Sequence, residues 1–284
     1  MEPAQLWDEL GPALLKALDS YRAGLADVGI LRKPDLSVVT DADLAIEALI
    51  VERISGFDPG AGIIAEESGN RAGWAGHDEV PERVWVVDPI DGTAAFLQPE
   101  EVDFCSVVCL LERGEPVDAL VVAPELGVGR QPLVLTASGA AGTATVNGRP
   151  ARPSLDRPPT WRVSATRSAG IEPAPFEPML ADAGYELRTR TTSQTIDMIR
   201  TAVDLSDVAA DPRCYDLFVR ARQKIWDGVA GLCFGAVTGL ASADRAGRRR
   251  TPLGVELLTH PEPRFDSVVM GRPETVDRFL RLSR

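Results

Sequence analysis

At 284 residues, 44% of them hydrophobic, the chain holds enough apolar material for one large core or two smaller ones sharing an interface. Its formal net charge of −12 excludes bulk binding to nucleic acid, whose phosphates need a basic footprint, although metal ions can reverse the local field for a phosphate ester. No stretch reaches the roughly 18 uninterrupted apolar residues of a membrane span, and the start MEPAQLWDEL lacks the basic region of a secretory leader, so the cytoplasm is the expected compartment.

Residues 3–28 carry Leu6, Leu10, Leu14, Leu15, Leu18 and Leu25 at helical spacing and are predicted as an amphipathic helix. A turn through Lys33-Pro34-Asp35 precedes a second helix starting at Thr40 or Asp41, with acids in its first turns and Leu44, Leu49, Ile50, Val51 and Ile54 as apolar members. After the Gly/Pro turn at 56–62, Ile63-Ile64, Val84–Val87, Phe104–Leu111 and Val117–Val122 read as strands, the last two separated by Gly114-Glu115-Pro116. The Pro-, Gly- and Ala-rich stretch 124–160 reads as a meandering hairpin with Asn147-Gly148 as its turn. It marks an expected boundary between an N-terminal half, 1–155, and a C-terminal half, 156–284. Beyond it come a strand at Trp161–Ala165, a helix at 173–183, a strand at Tyr185–Arg190 and helices at 193–204 and 226–239. Strand-like Val208-Ala209 and Leu217–Val219 lie between those last two helices. Mixed α and β in layers follows.

Cys105, Cys109, Cys214 and Cys233 form no CxxC pair and read as ordinary buried thiols. The two histidines, His77 and His260, both stand in loop contexts, which disfavours His-based acid–base or nucleophilic chemistry.

The most informative segment is VWVVDPIDGTAAF, 84–96, where an apolar strand runs into two aspartates and then Gly-Thr. Asp88 and Asp91 can share or flank divalent cations at the strand's carboxyl end. Gly92 lets the backbone approach a phosphate, and the following helix N-terminus offers free N–H groups to its oxygens. Thr93 adds a hydroxyl that can hold a water. Taken alone, DxxDG is more simply a turn whose aspartates cap a helix. Three further segments change that balance. AEES, 65–68, places paired glutamates, usually a solvated pair, directly after an apolar strand. In VVTDADLAIE, 38–47, Asp43 and Glu47 share one helix face, by itself ordinary decoration. In IWDGVAG, 225–231, Asp227 stands at an expected helix start, where an acid also serves as N-cap or partner of the helix dipole.

Together, and in this order, the four segments resemble the inositol-monophosphatase-like superfamily, whose members carry VTxxDxxxE, GEES-like, WxxDPIDGT and distal WDxAAG segments. The resemblance spans residues 33–231; Ala65 stands where Gly is common, and Gly228-Val229 replace a more Ala-rich pair. It implies an α/β (α+β) layered αβαβα sandwich, sugar-phosphatase-like, that hydrolyses phosphate monoesters with Mg²⁺, two or three ions in all, and is inhibited by Li⁺. By motif position, Glu66, Asp88, the Ile90 carbonyl and Thr93 surround a first ion, and Asp88, Asp91 and Asp227 hold a second. Glu67 reaches a third through water. Asp43 and Thr93 orient and deprotonate the attacking water, while the Gly92 and Thr93 amides hold the phosphate. A homodimer is implied as well. Hard oxygen ligands suit Mg²⁺, and ions on a shared carboxylate activate water without any protein nucleophile.

Relatives acting on inositol phosphate place a Glu seven residues before the distal Asp, where this chain has Arg220, in the run RARQK, 220–224. Either the run is a solvated basic face, or Arg220 or a neighbour pairs with a second anionic group on the substrate. Lys33–Ser37 and SATRS, 164–168, resemble the 3′(2′),5′-bisphosphate nucleotidase branch, whereas Ala94-Ala95 and the separated Gly235 and Gly239 depart from it. The expected activity is that of a Mg²⁺-dependent phosphomonoesterase acting on a small phosphorylated metabolite. Alternatives are a bisphosphate nucleotidase, an inositol- or histidinol-type monophosphatase and, in a different class, a non-catalytic metal-binding homologue. Neither GxGxxG nor a P-loop is present. Arg248-Arg249-Arg250 reads as a solvated loop.

Overall fold

A computed structural model describes residues 3–25, 28–32, 38–68, 80–167, 172–190 and 192–283. The Lys33–Ser37 segment with its expected turn, His77 and Ser168 lie outside the described residues.

Leu6, Leu10, Leu14 and Leu18 recur every four residues and give α1 (Pro3–Ala23) one apolar stripe, buried to 3% exposure or less. The helix stops at Ala23, short of the expected 28. β1 (Ile30–Arg32) and β2 (Val38–Thr40) form a small antiparallel ladder that the sequence reading omitted. α2 (Asp41–Phe57) begins where expected. Thr40 is its extended N-cap: the hydroxyl accepts the Asp43 N–H while the Asp43 carboxylate accepts the Thr40 N–H, a capping box worth about 1 kcal/mol.

β3 (Gly62–Ala65), β4 (Arg83–Asp91), β5 (Cys105–Glu112), β6 (Glu115–Ala123), β7 (Leu133–Ser138), β8 (Thr143–Val146) and β9 (Arg149–Pro150) make a seven-stranded sheet in sequence order. Only β3 and β4 pair in parallel. α3 (Thr93–Phe96) is a single turn beyond β4. Between β8 and β9, Asn147 and Gly148 both take positive φ, 49° and 72°, the hairpin geometry that the Asn-Gly pair predicts. Alternation along the strands divides the core. Trp85, Val87, Val108, Leu110 and Leu120 face α1 and α2, while Val84, Val86, Val107, Cys109 and Val121 face the other way.

The second sheet is laid down by β10 (Arg162–Ala165), α4 (Phe176–Asp182), β11 (Glu186–Arg188), α5 (Gln194–Ala202), β12 (Leu217–Lys224), α6 (Val229–Val237), β13 (Ala241–Ala243), α7 (Val255–Thr259), β14 (Arg264–Gly271) and α8 (Pro273–Leu282). Its order is β11-β10-β12-β14-β13, with β10 parallel to both neighbours and β14 antiparallel to β12 and β13. Helices α5 and α6 fill the space between the sheets: Ile199, Val229 and Phe234 join one cluster with Val121 of the first sheet and Phe218 and Met270 of the second. Phe176, Leu180, Val276 and Phe279 cover the far face. Five layers result, αβαβα, as the resemblance implied.

Several expectations need correction. Val208-Ala209 is not a strand; Ala209 makes a single bridge to Gly127. The stretch beyond 240, left unassigned from sequence, holds β13, β14, α7 and α8. Val268-Val269-Met270 is a continuous apolar run because β14 sits inside its sheet, buried on both faces, so alternation gives no strand signal. The Arg248–Arg250 loop is only partly solvated. Asp244 anchors it by accepting the N–H groups of Ala246 and Arg248 and both the Arg248 and Arg250 guanidinium groups. All four cysteines are free and buried, as read. Among the described residues no helix is long and apolar enough to cross a membrane.

Candidate active site

β4 carries Trp85-Val86-Val87, buried on both faces, straight into Asp88. Two residues three apart on a regular strand point to opposite faces. Here Asp88 pairs with Val107 but Asp91 pairs with Cys105, so three steps on β4 match two on β5. That bulge absorbs one residue and restores parity, and both aspartates face the layer of α5 and α6. Ser106 donates to the Pro89 carbonyl inside the bulge. At Gly92 the chain takes φ 96°, and a Cβ there would lie 2.8 Å from the Thr192 carbonyl oxygen and 3.0 Å from that of Asp103. Only glycine fits. Asp103 and Thr192 also border an open cleft of about 480 Å³ with Arg188, Arg190 and Arg213.

On the other side of the turn, the Thr93 hydroxyl lies 3.2 Å from Asp43 Oδ1 and 3.1 Å from the Ile90 carbonyl, with one proton to give to either. Asp43 Oδ2 accepts from the Thr40 hydroxyl at 2.6 Å and the Thr40 N–H at 2.7 Å. Burial raises the Asp43 pKa to about 6, against the Thr40 hydrogen bonds that lower it. The capping box of α2 therefore fixes the carboxylate that meets Thr93. Glu47, one turn further on, accepts the N–H groups of Glu67 at 2.7 Å and Ser68 at 2.8 Å. It moors the loop after β3, which places Glu66.

Glu66, Asp88 and Asp227 each bring one carboxylate oxygen within 4.8 Å of the others. Asp227 does not cap α6, the alternative role of an acid at a helix start. It stands two residues ahead of the helix, whose N-cap is Gly228, and its own backbone carbonyl accepts from Thr195 Oγ1 and Gln223 Nε2, both at 3.2 Å. Its carboxylate accepts from Gln194 Nε2. Asp91 is held separately, by the N-terminus of α5: Oδ2 accepts from Ser193 Oγ at 2.8 Å and Thr195 N–H at 2.7 Å. Asp88 differs from all of these. It is 1% exposed, and neither carboxylate oxygen has a hydrogen-bond partner among the described residues.

The electrostatics follow from burial and crowding. Desolvation raises Asp88 well above the carboxylate range, reinforced by the charges of Glu66, Asp91 and Asp227. Asp227 is raised by burial and by Asp91 and Glu66. Burial lifts Asp91 to about 6, although the α5 hydrogen bonds oppose the rise. Such a concentration of buried negative charge favours cations or protons. Arg220 on β12 feels the charges of Asp227 and Asp91, and burial lowers its pKa. Lys224 is drawn inward, onto Glu66 at 3.1 Å, rather than forming part of a solvated face.

Sequence reading missed Ser193, Gln194, Thr195, Gln223 and the mooring role of Glu47. Ser193 had a signal, being an N-cap type at the head of a predicted helix. Gln194 carried none, because its partner, Asp227, is remote in sequence, and Gln223, though only four residues from Asp227, has no motif that marks it.

The profile of the inositol monophosphatase family matches residues 7–261. Histidinol-phosphatase of Mycobacterium tuberculosis is 32% identical over 229 residues, covering 75% of this chain and 84% of that protein. The 3′(2′),5′-bisphosphate nucleotidase CysQ of Escherichia coli is 30% identical over 124 residues, 44% of this chain and 47% of that protein. A solved IMPase/NADP phosphatase complexed with Mg²⁺ and phosphate shares the fold, with a TM-score of 0.73 and 18% identity over 99% of this chain and 96% of that one. The chain belongs to the inositol monophosphatase family of phosphatases.

Proposed function

We propose that the protein is a Mg²⁺-dependent phosphomonoesterase acting on a small phosphorylated metabolite that carries a second anionic group. The observation that carries this reading is Asp88, whose two buried oxygens have no partner among the described residues and stand beside Glu66 and Asp227. A donor set made of carboxylate and carbonyl oxygens fits Mg²⁺ rather than a soft metal. Glu66, Asp88 and the Ile90 carbonyl would hold one ion, and Asp88, Asp91 and Asp227 a second, with Glu67 as an auxiliary. Bound there, the ions supply acidification of water and neutralisation of charge on the phosphoryl group.

The chain's own residues do the rest. Asp43 takes a proton through Thr93, whose hydroxyl orients the attacking water. An Asp43 pKa near 6 leaves it a usable base at neutral pH. Gly92 gives the phosphate close access to the backbone, and the Gly92 and Thr93 amides hold its oxygens. Arg220, half-buried on β12 and within the field of Asp91 and Asp227, is the group suited to a second anion on the substrate. A second reading, a histidinol-phosphate type of ester, is favoured by the relative that aligns with 75% of the chain.

Phosphate release from inositol 1-phosphate, histidinol phosphate, NADP and a 3′,5′-bisphosphate nucleotide, each with Mg²⁺ and with EDTA, tests both readings. Mg²⁺-dependent turnover of a doubly anionic ester, weakened selectively in Arg220→Ala, supports the first. Preference for histidinol phosphate, or equal loss on all esters in Arg220→Ala, removes the role of Arg220. No Mg²⁺-dependent release from any ester counts against the whole reading.

A further inference from the structure

Lys224 ends β12, three residues before Asp227, and its ammonium points into the carboxylate cluster. Nζ lies 3.1 Å from Glu66 Oε1, with the two side chains 19% and 14% exposed. It also lies 5.4 Å from the centre of the Trp226 ring, so the aromatic face and the carboxylate together fix it. Its positive charge acts on Asp227 as well. The three clustered carboxylates are thus unequal: Glu66 carries an ammonium, Asp227 an amide donor, and Asp88 no hydrogen-bond partner among the described residues.

We infer that Lys224 is an internal competitor for the divalent cation, one that weakens ion binding at Glu66 and sets the metal concentration the enzyme requires. The inference rests on the reading of Glu66, Asp88 and Asp227 as a metal site. An ammonium on a carboxylate offsets much of that group's negative potential, and a divalent ion brought to the same carboxylate meets its repulsion in a partly buried, weakly screened setting. The opposing view makes Lys224 a tether, joining β12 to the loop after β3 and holding Glu66 in place for the ion. The two differ in sign. Loss of a tether loosens Glu66 and weakens ion binding, whereas loss of a competitor strengthens it.

Lys224→Met separates them, since it keeps an apolar stem against Trp226 and removes only the charge. Mn²⁺ binding followed by electron paramagnetic resonance and Mg²⁺ binding followed by calorimetry, both without substrate, should show roughly tenfold tighter binding in Lys224→Met. Lys224→Arg, which keeps the charge, should stay near the wild type. In EDTA the Met variant should melt below the wild type, and added Mg²⁺ should raise its melting temperature by more than it raises that of the wild type. Should Lys224→Met fail to fold, Lys224→Gln carries the same expectations. Equal or weaker ion binding in the uncharged variant, with the wild type binding normally, overturns the inference and leaves the metal site intact. Absence of ion binding in every protein, wild type included, overturns both.

Discussion

Asp88 and Asp91 stand three residues apart on one strand and face the same layer, yet their surroundings differ in kind. Asp91, like Asp43, is gripped by the protein: a helix N-terminus and a serine hydroxyl hold one, a capping box holds the other. Asp88 is walled in by apolar strand and other carboxylates, with no donor turned toward it among the described residues. The fold balances the charge of the first two from within and leaves the third to be balanced from outside. On the proposed reading, precise placement comes from the gripped carboxylates, and affinity for a cation from the bare one.

The largest test of this contrast is Asp88→Asn. Phosphate release should fall by about 10³-fold or more. Yet the melting temperature in EDTA should rise, because an uncompensated buried charge is gone. A variant that melts lower than the wild type in EDTA would break the distinction. Asp91→Ala should lose turnover comparably but also lose about 1–3 kcal/mol of stability, since the Ser193 hydroxyl and the Thr195 N–H are left without their acceptor. Chemical denaturation in EDTA distinguishes the two variants.

The pH dependence of stability sharpens the contrast further. Asp43, Asp88, Asp91 and Asp227 all have folded-state pKa values above their ordinary ones, with burial the first cause in each. Groups of this kind bind protons more tightly when folded, so the stability they lend is complete below about pH 4 and is lost as pH rises through about 6 and beyond. In EDTA, melting temperature should decline from pH 5 to pH 8, and Mg²⁺ should flatten that decline. Asp244 has the opposite sign. Burial pushes it up, but the hydrogen bonds of Arg248 and the charge of Arg250 bring it below the ordinary value, and its contribution is lost only at acid pH. A melting temperature that climbs from pH 5 to pH 8 in EDTA would mean the bare carboxylates are compensated after all. The smallest effect belongs to Thr40→Val, which should cost about 1 kcal/mol as a lost cap. It should also move the acid limb of the turnover profile to higher pH, because Thr40 holds the Asp43 pKa down.

Much of this site was legible because the sequence states it locally. An apolar run ending in DPIDGT announces a strand delivering acids, and the acids after Thr40 announce a helix start, although the cap by which Thr40 holds Asp43 came only with the structure. The bulge was not legible, although without it Asp91 would face away from Asp88, because parity depends on pairing with β5 rather than on β4 alone. The basic run at 220–224 stayed open between a solvated face and a substrate contact for a similar reason: the partner of Lys224, Glu66, arrives from the other sheet. The Asn147-Gly148 turn was clear from two residues, whereas β14 was invisible because burial on both faces erased its alternation. What depended on neighbours in sequence could be read; what depended on neighbours in space could not.

The cluster draws Glu66 and Asp88 from the seven-stranded sheet and the loop beside it, and Asp227 from the connection between β12 of the second sheet and α6. As the chain leaves the ribosome, the first two carboxylates emerge long before the third. An ion that needs all three can therefore be held only after the second sheet has docked, and its uptake marks the end of assembly rather than a step within it. On the proposed metal reading, a partly made chain would keep its unsatisfied aspartate unloaded, with no half-built site able to act out of turn.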